Sequence, residues 1–178
     1  MQKIFIAIIA CTLFAACQQS NSGTAKTDST KAAADTITYP YTPTYGADFE
    51  LGDPKYAKII LDIWKDFDNN TLTNHRDAFA DTVAVDLIDG HSFYGSRDSM
   101  LANIAAFRGS LASATSKVAT WVTLKQRGKN AVWVSVWGME VDVQKDGSKD
   151  STTLNESWMF NKDGKIVYME QLSRKTHK

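Results

Sequence analysis

The sequence predicts an α+β domain, with helices first and a meander of long antiparallel strands after them. Three observations predict it. Tyr56, Ile59, Ile60, Ile63, Trp64 and Phe67 recur at helical spacing near the start of the domain. Runs rich in Val, Trp, Thr and Ile fill the second half. The pairs Arg127-Gly128, Asp146-Gly147 and Asp163-Gly164 divide those runs as turns do. Helices followed by strands, rather than alternating with them, is an α+β layout.

Before the domain come two segments of other character. Positions 1–17 read MQKIFIAIIACTLFAAC, in which Lys3 precedes an uncharged, mostly apolar run. That run is too short for a permanent membrane span and suits a secretory signal. Phe14-Ala15-Ala16-Cys17 resembles the bacterial lipobox, although the usual Leu is replaced by Phe14. The resemblance implies cleavage after residue 16 and acylation of Cys17; an ordinary signal peptide with a chance cysteine is the plainer alternative. Residues 17–48 are then a polar tether, too poor in apolar groups to order themselves. The domain is expected over 49–178. With Cys11 and Cys17 both in the leader, the domain holds no cysteine, which excludes disulfides, cysteine nucleophiles and thiolate metal sites.

Within the domain, Asp53-Pro54 is a helix start, and the spacing predicts a helix over 55–69. Asn69-Asn70 breaks it, and Thr73 or Asn74 is placed to cap a short second helix through Phe79. Residues 82–88 and 91–94 read as two strands joined by Asp89-Gly90. Ser96 is a cap for a third helix, whose stripe is Met100, Ile104, Phe107 and Leu111. Residues 117–125, 130–144, 152–160 and 166–173 are the four strands of the meander. In 130–144 both alternation phases are apolar, so both faces are expected to be covered. Helices cover one; a second copy of the chain, docked on Val132, Val134 and Val136, is expected on the other, giving a homodimer.

This order resembles the nuclear transport factor 2-like superfamily, in its SnoaL-like and ketosteroid-isomerase-like branches. The phrases that carry the resemblance are Phe79-Ala80-Asp81, Phe93-Tyr94-Gly95-Ser96 and the hairpin from Trp158 to Ile166. It implies a cone-shaped curved antiparallel sheet with the N-terminal helices packed on its concave face. These phrases belong to the scaffold, and one fold carries many functions.

Charge excludes some functions. Lys+Arg and Asp+Glu are 20 each, so nothing points to nucleic acid or to an anionic surface. Arg97, Arg108 and Arg127 read as solvated. His75, His91 and His177 are scattered without metal-site spacing, so no metal and no cofactor is expected. No Ser-His-Asp order and no phosphate-cradling Gly loop is present.

Glu156 is the sharpest polar candidate. Counted back from Asp163-Gly164, it shares a strand face with Leu154, Trp158 and Phe160. The isomerase resemblance implies that this face looks into the cone, at the position of an oxyanion-donating carboxylic acid. An apolar wall would favour the acid form; a rim carboxylate paired in water is the alternative. The tyrosine and general-base positions of that branch fall on Ile63 and Leu87, which transfer no protons. Asp86 and Asp89 lie close to the second of these, and His91 is a further candidate base, since imidazole exchanges protons near neutrality. For His91, a structural role at the surface is the alternative.

The aromatic set Trp64, Tyr94, Phe107, Trp133, Trp137 and Trp158 is expected to converge with Glu156 on one interior, as pockets for apolar ligands do. A packed core or a dimer interface would use the same residues. Three functions follow. The first is a lipid-anchored cell-envelope protein that binds a small, largely apolar molecule without catalysis. The second is an isomerase, cyclase or dehydratase using Glu156 with His91 or Asp89. The third is a protein–protein module of an envelope assembly with a filled cone.

Overall fold

The first helix, α1 (Lys55–Asn69), begins where Asp53 Oδ1 accepts the Lys55 backbone N–H at 2.9 Å. The computed structural model describes residues 38–87 and 90–176. The leader with Cys17, most of the tether, Asp89 and His177 therefore lie outside the described residues. α1 ends at Asn70, in the left-handed conformation at φ 59 that asparagine tolerates better than most residues. Ala57, Ile60, Ile63 and Trp64 are its buried stripe. The expected second α-helix is a 3-10 turn, Leu72–Ala78, without a side-chain cap. Thr71 is bonded instead to Asp66 Oδ1 at 2.9 Å, and only Leu72 of the turn is buried, too little to hold an amphipathic helix.

Seven strands form one sheet. They are β1 (Phe49–Leu51), β2 (Phe79–Leu87), β3 (Ser92–Ser96), β4 (Leu111–Gln126), β5 (Val132–Gln144), β6 (Lys149–Phe160) and β7 (Ile166–Lys175). Their order is β1-β4-β5-β6-β7-β2-β3. The sheet is curved and does not close into a barrel. It is mixed rather than antiparallel throughout, because β2 and β7 pair in parallel. The chain between them contains a whole crossover, which a parallel pair requires. β1 is too short to show alternation in the sequence. β4 starts as soon as the other helix, α2 (Arg97–Ser110), stops; Ala112, Ser113, Thr115 and Ser116 gave that part no apolar rhythm. Ser96 Oγ caps α2 by accepting the Ser99 N–H at 3.2 Å.

The compact unit runs from Tyr41 to Lys178, so it starts before the expected residue 49. Tyr45 accounts for this: its ring lies 5.4 Å from that of Trp133, and its carbonyl accepts from Gln126 Nε2.

α1 and α2 pack on the inner face of the sheet. Val134 and Val136, both 0 % exposed, cluster there with Ile60, Ile63, Met100 and Leu101. The face expected to join two copies, Val132, Val134 and Val136, is thus the floor of the core. Alternation separates two faces without saying which is inner; pairing decides it. Val136 stands opposite Glu156 and Val134 opposite Trp158, so all four side chains share the inner face. Trp133 and Trp137, in the other phase, are on the outer face.

Candidate functional site

Between the helices and the sheet lies a cavity of about 630 Å3. Ile63, Trp64 and Phe67 of α1 and Met100, Leu101 and Ile104 of α2 wall it on the helical side. Its floor comes from the inner faces of β5, β6 and β7. Along β6 that face reads Phe160, Trp158, Glu156, Leu154, Thr152, Asp150 by strand alternation. Along β5, in register, it reads Val132, Val134, Val136, Gly138, Glu140, Asp142. Both strands run from an apolar end to an acidic end. At the apolar end Tyr56 of α1 closes on Phe160, ring to ring at 4.7 Å. At the other end Glu140, Asp142 and Asp150 line the cavity.

Glu156 lies midway, 5 % exposed. Trp64 Nε1 donates to its Oε2 at 2.5 Å, and Trp158 Nε1 donates to the same oxygen at 3.0 Å. Gln171 Nε2 donates to Oε1 at 2.9 Å. Burial pushes this carboxyl above the ordinary carboxylate range, while the three N–H donors pull the other way; burial is the larger effect. The site is closed around Trp64 because residue 138 is glycine, whose missing side chain leaves room for the indole.

Glu140 is the titratable group that sequence reasoning missed. Burial, then the neighbouring carboxylates Asp142, Glu156 and Asp68, push its carboxyl up to about 8, against a smaller pull from Arg108. Asp142 is raised as well, chiefly by burial. The signal was present in the strand phase: Glu140 lies two turns of the pleat after Val136 and so shares the face of Glu156. Arg108, expected in solvent, is 6 % exposed. Its Nε and Nη2 donate to the carbonyls of Phe67 and Asp68 at 2.7 and 2.8 Å, satisfying the last turn of α1 at the cavity's edge.

Of the expected aromatic set, Trp64, Phe107 and Trp158 line the cavity with Glu156. Tyr94, Trp133 and Trp137 do not. Tyr94 is 81 % exposed on β3, at the end of the sheet order, and the two tryptophans are on the outer face. Ile63 and Leu87 both line the cavity as apolar groups. Asp86 has the opposite phase: its Oδ2 accepts from Tyr168 Oη at 3.0 Å and its Oδ1 from Ser92 Oγ at 2.7 Å. His91 is exposed and lines no part of the cavity. His75 Nδ1 lies 2.5 Å from Asp66 Oδ2. Among the described residues no group of ligating side chains is placed to hold a metal ion.

An inner cavity between helices and a curved open sheet, with this strand order, defines the nuclear transport factor 2-like fold, and the chain has it. Solved structures of that fold superpose on it. A nuclear transport factor 2-like protein of an Exiguobacterium species is 17% identical, covering 66% of this chain and 99% of its own, at TM-score 0.53. One from Salmonella enterica serovar Typhimurium is 16% identical over 70% of this chain and 92% of its own, at TM-score 0.57. A putative scytalone dehydratase from Novosphingobium aromaticivorans is 12% identical over 68% of this chain and 85% of its own, at TM-score 0.57. No protein-family model and no curated protein matches the sequence. The fold covers ligand-binding members and enzymes such as cyclases and dehydratases.

Proposed function

We propose that this chain is a lipid-anchored cell-envelope protein whose domain binds a small, largely apolar molecule in the inner cavity without turning it over. The cavity carries the reading: about 630 Å3 is open between helices and sheet, and its walls are mostly apolar. Ile63 and Leu87, the positions where the isomerase branch keeps its proton-transfer groups, are hydrocarbon. Glu156 is held by three donors and gives a bound molecule one fixed polar contact. Acylation of Cys17 and the polar run after it supply the anchor and the spacer. None of the described helices is long and apolar enough to cross a membrane.

A second reading is favoured by one observation. Glu140, raised to about 8, lines the same cavity as Glu156, so two carboxyls with displaced proton affinities face one space. An isomerase or dehydratase would use Glu140 where His91 or Asp89 was expected. The third reading required a filled cone, which an open cavity does not favour.

Trp64 and Trp158 are built-in reporters. Native mass spectrometry of the purified protein should show a co-purified small molecule, and its removal should shift tryptophan emission. A cavity that holds nothing, and stays silent to a panel of apolar compounds, overturns the binding reading. Radiolabelled palmitate that never enters the chain overturns the anchor.

A further inference from the structure

The floor of the cavity carries a polar row that crosses four strands. Pairing sets Ser116 of β4 beside Glu140 of β5, Glu140 beside Thr152 of β6, and Thr152 beside Lys175 of β7. All four line the cavity. Neighbouring strands lie about 5 Å apart, so the row is a line of polar groups roughly 15 Å long. One repeat toward the apolar end the floor is Gly138 and Leu154, so the polar character starts at this row. Lys175 is engaged, with its Nζ 2.9 Å from Asp150 Oδ2. The Ser116 and Thr152 hydroxyls and the Glu140 carboxyl make no hydrogen bond among the described residues. Beside the row, Oδ1 of the half-buried Asp142 is likewise an acceptor without a donor among them.

The charges around the row balance. Lys175 offsets Asp150, Lys65 lies 3.4 Å from Asp68, and Arg108 keeps its charge and acts on Asp142. Burial raises the Glu140 carboxyl to about 8 and moves Glu156 in the same direction, so both favour the neutral acid at neutral pH. A charged head of either sign would lose its hydration there without gaining a free countercharge.

Resting on the binding reading, we propose that the ligand is a neutral amphipathic polyol: an alkyl or acyl tail against Trp64, Trp158 and Leu101, and a head of several hydroxyls, a sugar or a glycerol, laid along Ser116, Glu140 and Thr152. The row and the head match group for group. Serine, threonine and a neutral carboxyl each donate and accept, as a hydroxyl does. A head of several hydroxyls can therefore replace water along the row and also donate to Asp142. An ether head of the same size accepts only, and would leave Asp142 and the accepting side of the row unserved. The tail fits the other end, where hydrocarbon and indole form the walls.

The test is a series of heads on one octyl or octanoyl tail, titrated into the full chain carrying Cys17→Ser, which bears no acyl group to compete for the cavity. Octyl glucoside and 1-octanoylglycerol carry hydroxyl heads. The controls are octyl tetraethylene glycol methyl ether, octyltrimethylammonium and octanoate. All are kept below their micellar concentrations, with calorimetry and tryptophan emission as readouts. The tighter-binding of the two hydroxyl heads should exceed each control by about tenfold or more. Ser116→Ala and Thr152→Val should each narrow that gap severalfold. Thr153→Val, one residue along β6 and so on the outer face, should keep it. If an inner-face variant fails to fold, the series on the Cys17→Ser chain decides alone. The ether or a charged head binding as tightly as both hydroxyl heads overturns the polyol and leaves the apolar cavity standing. A gap that survives both inner-face variants overturns it too, since the head then lies off this row. If no member binds while native mass spectrometry still shows a co-purified molecule, the polyol falls and the binding reading stands; if nothing co-purifies either, both fall.

Discussion

The Trp64 indole rests against the backbone of Gly138. A methyl group at residue 138 would stand 2.8 Å from the Trp64 ring and 2.8 Å from the Lys117 carbonyl oxygen. One of these neighbours is backbone in a paired strand, so the ring must move. Gly138 therefore fixes how closely α1 approaches the sheet, and through Trp64 it fixes the donor that reaches Glu156.

Gly138→Ala is expected to lower stability by about 1–3 kcal/mol, the usual range for overpacking a filled core. It should also displace the Trp64 N–H from Glu156. Chemical denaturation gives the first quantity and the indole N–H chemical shift the second. An unchanged midpoint with an unchanged shift would mean that the ring has room the structure does not show.

Glu156 separates two substitutions of similar size. Glu156→Gln keeps an oxygen for the two tryptophan N–H groups, and Gln171 can turn its amide to present its oxygen to the new NH2 group. The substitution also removes a carboxyl that burial disfavours when ionised. It should be neutral or mildly stabilising at neutral pH. Glu156→Leu leaves the two buried tryptophan N–H donors without an acceptor, at about 1–3 kcal/mol each, and also strips the part-buried Gln171 amide of its partner. Equal melting temperatures for the two variants would contradict the hydrogen-bonded arrangement.

The pH dependence follows from Glu140. Its folded value of about 8 lies above the ordinary 4.5, so the folded protein keeps a proton that the unfolded chain releases. Stability from this group is complete below about 4.5, declines as pH rises, and is lost by the time pH has passed 8. Glu156 acts with the same sign. Relative to wild type, Glu140→Gln should gain stability progressively across that window and no further above it. Denaturation midpoints measured from pH 5 to pH 9 check this, and a difference that does not vary with pH would refute it.

Much of this architecture was legible in the chain, and the rest was hidden for physical reasons. The α1 stripe is a strong 3.6-residue signal, and the Asp-Gly and Arg-Gly pairs mark turns, with Gly147 and Gly164 at φ 85 and 71. Glu156 was locatable because alternation can be counted from a fixed hairpin. The sidedness of β5 was not, since Val and Trp are equally good strand residues and only pairing to Glu156 sets the inner face. Arg108 was misread because a buried arginine looks like a surface one until its carbonyl acceptors are in view. Glu140 was overlooked because an acid toward the end of a strand reads as solvated, and its proton affinity depends on burial and on carboxylates from β5, β6 and α1 that only the fold brings together.

The corrected sidedness of β5 decides where a homodimer can be tested. Val134 is 0 % exposed beneath the helices, so Val134→Lys would bury an unpaired charge and unfold the domain rather than release a monomer. The outer face is where a second copy would dock. Trp137 there is 39 % exposed, and pairing carries its row across Asn155 to Leu172, which is 47 % exposed. A two-fold contact would bring this row against its own copy, so one substitution acts twice in the dimer. Trp137→Lys places like charges on both sides of that contact while touching no buried side chain of the core. It should give a folded monomer, with the cavity and its tryptophan emission response retained. Sedimentation equilibrium at high micromolar concentration distinguishes the cases. A wild-type protein that is already monomeric there overturns the dimer, and a dimer that survives Trp137→Lys moves the contact away from this face.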